Sequence, residues 1–322
     1  MFPEAQSRGM TMAKTRPGVT SLIKETVKDF LEDDCMDSAA ALSYYTIFSL
    51  PALLVLILTI ISAVMNPSDV RGGLEGQLQA LMGPSAGEQI RTIIQQAEQK
   101  PENGLIPTIL GIAGLLFGAT GAFGQLQKAL NRAWNVEPDP NQGGWKNFLS
   151  KRVFSLGMIL IVAFFLLVSL VVSAALTGMG DRLGDFLPSG LSAPSLEALN
   201  MVISLAVITL LFAALFKVMP DAKISWRSVW VGAAFTALLF VIGKFLIGFY
   251  LGQSNPGQAY GAAGSLAVLL LWVYYSALIL LFGAEFTETW AERRGQGIEP
   301  EPGAVRVRRE KQHVSELGPT TG

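Results

Sequence analysis

Few side chains in this 322-residue chain have the chemistry of a catalytic or metal-binding centre. The chain has one cysteine, Cys35, and one histidine, His313. Because His313 lies in a polar tail, neither a Ser-His nor a Cys-His nucleophile pair has its base, and a structural zinc site needs about four such ligands. The acidic cluster within 32–37 is typical of a solvated helix end. We therefore predict no catalytic residue, no metal site and no cofactor, and we do not expect an enzyme.

Polar side chains that several apolar segments place at one depth are the better candidates. Glu285 follows an apolar run, and a carboxylate at the C-terminal end of a helix opposes the helix dipole. It therefore needs a partner, such as Arg132 or Lys128, although a surface glutamate is an equally open interpretation. The candidate cluster consists of Tyr44, Tyr45, Gln125, Gln127, Asn131, Arg132 and Glu285.

Lys244 is the single charge deep within an apolar run of the sequence. Ionisable residues inside a membrane are costly and indicate function. However, Lys244 is only six residues from Tyr250, roughly 9 Å along a helix, so its stem could also snorkel to the surface. Near the middle of another run, Trp272, Tyr274 and Tyr275 need partners for their polar atoms, either in helix packing or along a pathway.

Long apolar segments must position these residues. Charge-free runs occupy 38–68, 103–127, 153–180, 198–216 and 245–284, and a sixth, 228–243, ends at Lys244. About 20 apolar residues cross the roughly 30 Å hydrocarbon layer as a helix. A helix is expected because lipid offers no hydrogen-bond partners, so the backbone groups must bond to each other within the segment. With 51% hydrophobic and 15% charged residues, the chain is predicted to be an all-α polytopic membrane protein. Its six transmembrane helices are predicted at about 40–64, 105–127, 153–176, 201–216, 230–250 and 264–286.

The segments around these spans have patterns of their own. Residues 1–20 are predicted to be a flexible tail, 21–292 the membrane domain, and 293–322 a disordered tail. Short interfacial helices are predicted at 21–34, which is amphipathic, and after the capping box Ser85–Glu88. The second span has glycines within an arc of roughly 140°, which favours close helix packing over a pore-lining role. They are Gly111, Gly114, Gly118, Gly121 and Gly124.

The basic residues predict the orientation. Most lysines and arginines fall in the N-terminal segment, the second and fourth loops, and the C-terminal tail. The loops on the other side contain Arg71, Arg91, Lys100 and Arg182. Because basic loops stay in the cytoplasm, both termini are predicted to be cytoplasmic, with an even number of spans.

Four segments of the chain resemble the YihY/BrkB family of bacterial inner-membrane proteins, and they occur in the same order. The resemblance covers most of residues 20–294 and implies a six-span protein of the bacterial inner membrane. Some members of that family were labelled ribonuclease BN and others virulence factors linked to serum resistance. The segments are AAALSYYTIFSLPALLVLILTI (39–60), FGQLQKALNRAWNVEP (123–138), FKVMPDAKISWRSVWVGAAF (216–235) and YGAAGSLAVLLLWVYYSALILLFGAEFTETWA (260–291).

These observations favour a transport-like or envelope-maintenance role that moves a lipid, an amphiphile or an ion. The alternative is a structural protein that organises envelope proteins. A ribonuclease is disfavoured, because a metal-dependent nuclease needs converging carboxylates or histidines, and we expect no nucleic-acid partner. The expected partners are membrane lipids, with envelope proteins or a second copy of the chain as further candidates.

Overall fold

In the computed structural model, the described residues are 18–62, 105–140, 157–164, 192–254 and 264–307, together with 72, 76, 91, 95 and 153. The predicted capping-box helix and most of the predicted third span, 153–176, lie outside them, although 157–164 is helical. The described part is mostly helical. Its long helices are α1 (Val19–Glu32), α2 (Cys35–Ser62), α3 (Leu105–Ala133), α4 (Ser192–Val218), α5 (Trp226–Ser254) and α6 (Gly264–Arg293).

Four of these helices are long and apolar enough to cross a membrane. The crossing segments are Cys35–Ile57, Met201–Val218, Trp226–Tyr250 and Leu266–Arg293, which correspond to the first, fourth, fifth and sixth predicted spans. Helix α3 covers the second predicted span. That α3 and 153–176 also cross the membrane, and that both termini are cytoplasmic, stay predictions.

The helices pack through close pairwise contacts. Helix α2 packs against α3 and α6, α5 packs against α4 and α6, and α1 packs against α6. A Cβ added at Gly118 would lie 3.2 Å from Ala52 Cβ, and one at Gly121 would lie 3.1 Å from Ser49 Oγ. These two glycines therefore let α3 approach α2. Gly114 and Gly124 have nothing within 4 Å of an added Cβ, and the surroundings of Gly111 lie outside the described part.

Helices α5 and α6 meet through two reciprocal glycine–threonine contacts that the sequence analysis missed. A Cβ at Gly232 would overlap Thr287 Oγ1, and a Cβ at Gly283 would overlap Thr236 Oγ1. Each threonine hydroxyl donates to the carbonyl four residues earlier in its own helix, Thr236 to Gly232 at 2.7 Å and Thr287 to Gly283 at 2.6 Å. The hydroxyls are thus satisfied within their own helices, and each threonine side chain, with its hydroxyl oxygen closest, fills the space above the opposite glycine.

Two short antiparallel ladders tie the chain after α6 to the ends of other helices. Strand β1 (Val136–Pro138) follows α3 and pairs with β4 (Ala304–Arg306), whereas β2 (Ala222–Lys223) follows α4 and pairs with β3 (Glu299–Pro300). Gly295, with φ of +68°, ends α6 and turns the chain back. The predicted disorder from 293 onward is therefore wrong for residues 294–307, and residues 308–322 lie outside the described part.

Candidate functional site

Buried polar residues gather where α1, the start of α2 and the ends of α3 and α6 meet. We call this region the α1 end of the bundle. Arg293 Nε at the end of α6 donates to Glu25 Oε2 of α1 at 2.8 Å. The Thr26 hydroxyl of α1 donates to Leu22 O at 3.0 Å and lies 3.4 Å from the hydroxyl of Thr289 in α6. Polar contacts therefore join α1 to α6 at the α1 end.

Glu285 lies in the interior of this end, with none of its surface exposed. The thiol of Cys35, at the first residue of α2, donates to Glu285 Oε1 at 3.1 Å. The other oxygen, Oε2, is buried and has no hydrogen-bond partner among the described residues. The sequence left two interpretations of Glu285 open, a basic partner or a surface position; the structure buries Glu285 and gives it a thiol partner instead.

Arg132 pairs with a different carboxylate, that of Asp34. Asp34 has a φ of +48° in the turn between α1 and α2, a conformation that aspartate tolerates better than most residues. Its neighbour Asp33 is buried. The acidic run at 32–37 is therefore not simply a solvated helix end, because part of it belongs to the packed α1 end.

Glu288 is a second buried carboxylate, one turn beyond Glu285. It accepts a hydrogen bond from Asn135 Nδ2 at 3.2 Å. Asn135 lies two residues after the end of α3 and has a φ of +52°, the left-handed conformation in which asparagine often ends a helix. The residue that terminates α3 thus also fixes the end of α3 against α6.

Gln127 and Asn131 of α3 bind Asp221, which the sequence analysis did not single out. Gln127 Nε2 lies 3.0 Å from Asp221 Oδ1, and Asn131 Nδ2 lies 2.8 Å from Oδ2. In return, Asn131 Oδ1 accepts from the Asp221 backbone N–H at 2.8 Å. Three hydrogen bonds therefore hold the turn after α4 against α3. The available signal was a carboxylate placed directly after a span.

The remaining members of the predicted cluster lie elsewhere. The side chains of Tyr44 and Tyr45 are 59% and 47% exposed, and the Tyr44 ring packs on the rings of Tyr45 and Phe48. Tyr44 is nine residues from Cys35, about 13 Å along α2, so neither tyrosine joins the buried contacts around Glu285. Gln125 is half-buried.

Lys244 lies in the opposite half of the bundle, beside two of the predicted mid-span aromatics. A shallow cleft between α5 and α6, which encloses no space large enough for a water molecule, is lined by Lys244 with Phe240, Ile247, Trp272, Tyr275, Ser276 and Ile279. Lys244 is half-buried, and its ammonium lies 5.5 Å from the ring centre of Phe245. The third aromatic, Tyr274, packs against the hydrophobic core instead. Lys244 and these aromatic residues were predicted from the sequence as separate features.

Within the described residues, no three His, Cys, Asp or Glu side chains are grouped so that they could hold a metal ion.

Burial changes the acid–base behaviour of Asp29 on α1. Partial burial raises the pKa of Asp29 from 3.8 to about 6, and the nearby Glu25 carboxylate adds to this increase. A carboxyl whose pKa is higher in the folded state binds its proton more tightly when folded, so its contribution to stability is lost as the pH rises from about 4 to 6.

We therefore expect Asp29→Asn to flatten the pH dependence of stability in that window. Thermal unfolding midpoints of the purified protein at pH 4, 5, 6 and 7 measure the effect. The midpoint of wild type should fall relative to that of Asp29→Asn as the pH rises. Lys28→Gln, a substitution of an exposed neighbour, should keep the pH dependence of wild type. Parallel curves for wild type and Asp29→Asn would contradict the assignment.

Long apolar helices joined by buried polar contacts at one end define a helical membrane protein. The sequence model of the family described as virulence factor BrkB matches residues 26–308. Since this match covers most of the chain, the protein belongs to the BrkB family.

Curated relatives of the chain have related names. A UPF0761 membrane protein of Alteromonas mediterranea is 31% identical over 272 residues, which are 84% of this chain and 88% of that protein. A UPF0761 membrane protein of Pseudomonas aeruginosa is 30% identical over 260 residues, 79% of this chain but 59% of the relative. The chain thus spans about three fifths of the length of the Pseudomonas relatives. A Bacillus subtilis protein named ribonuclease-like protein YfkH is 26% identical over 277 residues, 85% of this chain and 96% of its own length. No solved structure matches the chain.

Proposed function

We propose that this BrkB-family protein is a six-span protein of the bacterial inner membrane, with both termini in the cytoplasm, that moves an anionic amphiphile such as a phospholipid. The observation that carries the proposal is the cleft between α5 and α6, in which Lys244 is half-buried among aromatic and apolar side chains. A cation held within an apolar span is costly and marks a functional position.

The surface beside this cleft suits an acyl chain. Ile242, Phe245, Leu246 and Phe249 of α5 are exposed large hydrophobic residues next to Lys244 in sequence. An anionic headgroup could contact the ammonium while its acyl chains lie on this apolar face. A hydrogen bond to a charged group contributes about 1.5–3 kcal/mol, which is enough to select an anionic lipid over a neutral one.

Lys244→Met should therefore reduce lipid movement. In proteoliposomes that contain a fluorescent anionic phospholipid, we expect Lys244→Met to slow transbilayer movement at least about tenfold, which corresponds to ~1.4 kcal/mol. Lys244→Arg should keep most of the rate because it keeps the charge. Lys128→Met, an exposed lysine of α3, is the matched control and should behave as wild type.

The structural role is the second candidate, and the tight packing of α5 on α6 supports it. If wild-type protein moves no lipid, anionic or neutral, the transport proposal fails and the structural role is favoured. If wild type moves anionic lipid and Lys244→Met moves it equally fast, Lys244 only snorkels and the cleft is not the binding site.

A further inference from the structure

The carboxyl group of Glu285 has an unusual set of neighbours. One oxygen accepts from the Cys35 thiol, and a thiol is a weak donor. The other oxygen is buried without a partner among the described residues. A carboxylate that is stabilised inside a protein normally accepts several strong hydrogen bonds or pairs with a cation, and Glu285 has neither within the described part.

Within the described residues, the charged groups that act on Glu285 do not supply a counter-charge either. The neighbouring groups are Asp29 on α1, Asp33 directly after α1, and Glu288 on α6, all of them acidic. Among the described residues, Arg132 of α3 acts on the neighbouring Cys35, and its guanidinium pairs with Asp34. Ionising Glu285 would therefore place a bare negative charge among carboxyl groups in a site closed to water.

We propose that Glu285 is a proton-binding site of this protein, in which the neutral acid is the resting form at neutral pH and Oε2 is the atom that takes up and releases the proton. The Cys35 thiol positions the carboxyl group through Oε1, which leaves Oε2 free to carry the hydrogen. This inference concerns a different site from the Lys244 cleft and does not depend on lipid movement.

Proton release from Glu285 would weaken the packing between helices, because Glu285 lies where α1, α2 and α6 meet. Its carboxyl group joins the first residue of α2 to α6, and Thr289, one turn later, donates to the Glu285 carbonyl at 2.8 Å and approaches Thr26 of α1. A new charge at this position would repel Glu288 and Asp33 and draw in water. Loss of the proton would therefore loosen the contact between α1, α2 and α6.

Infrared difference spectroscopy of the full chain in lipid nanodiscs tests the proposal, because a protonated carboxylic acid has a C=O stretch that a carboxylate lacks. We expect wild type at pH 7 to show this band at a frequency typical of a carboxylic acid that is shielded from water. Glu285→Gln should remove the band, whereas Glu288→Gln, the matched buried carboxyl one turn away, should leave it. A spectrum at pH 7 without the band, or a band that survives in Glu285→Gln, would overturn the proposal.

A second variant keeps the test decisive if Glu285→Gln does not fold. Cys35→Ser replaces a weak donor by a stronger one at Oε1, so the band should move to a different frequency if it belongs to Glu285. An unchanged frequency would assign the band to another group and refute the proposal. Both outcomes are read without a transport assay, so failure of lipid movement and failure of proton binding are distinguishable.

Discussion

Gly283→Ala is expected to destabilise the protein, although alanine favours a helix over glycine by about 1 kcal/mol. The added Cβ would overlap the hydroxyl of Thr236 and lie 2.8 Å from the Thr236 Cβ, where real Cβ atoms essentially never approach. Overpacking of this kind typically costs about 1–3 kcal/mol. The change in the free energy of unfolding, which is normally stabilising for glycine to alanine in a helix, should therefore be destabilising here. Gly232→Ala should act in the same way through Thr287.

The thermal unfolding midpoint in detergent, followed by intrinsic tryptophan fluorescence, measures this effect. Gly248→Ala is the matched control, because Gly248 also lies in a long helix but has nothing within 4 Å of an added Cβ, and it should be neutral or stabilising. Thr236→Ala combined with Gly283→Ala should recover part of the loss, since it removes the overlapping hydroxyl. Equal midpoints for Gly283→Ala and Gly248→Ala would show that α5 and α6 are not in this contact.

The long helices could be predicted because each segment that crosses a lipid bilayer must by itself be apolar and long enough to do so. A charge-free run of sufficient length is recognisable without knowing its neighbours, and α2, α4, α5 and α6 follow the runs closely. The same reasoning selected Gly118 and Gly121, whose role depends mainly on the absence of a side chain. The glycine–threonine contacts of α5 and α6 were not found, because they require knowing which two helices are adjacent and in which register.

The hydrogen-bond and ion-pair partners within the polar cluster could not be predicted either, because they also depend on which helices are adjacent and how each is rotated. The sequence predicted that Arg132 and Glu285 lie at one depth, but depth does not determine the rotation of a helix about its axis. The turn at Asp34, with its positive φ, places a nearer carboxylate beside Arg132. The short strands were missed because two or three residues are too few to show a period-two pattern.

The second large effect is expected at Asp221. Its carboxylate accepts from Gln127 and Asn131, whose side chains are both buried. Asp221→Ala would leave two buried amide groups without their acceptor, at a cost of about 1–3 kcal/mol for each unsatisfied group. Because the turn that contains Asp221 leads into β2, the β2–β3 ladder should loosen together with the end of α3.

Limited proteolysis is the sharpest measurement, since it reports local opening as well as global stability. In Asp221→Ala, cleavage should become faster in the region 219–224, and the unfolding midpoint should fall. Asp221→Asn should be nearly as damaging, because its amide would set a donor against the donors of Gln127 or Asn131. Glu301→Ala is the matched control: its backbone N–H donates to the Asp221 carbonyl at 3.0 Å, but its side chain is exposed. If Asp221→Ala and Glu301→Ala are cleaved at the same rate, the hydrogen bonds to Gln127 and Asn131 do not hold the turn, and the end of α3 must be fixed by apolar packing alone.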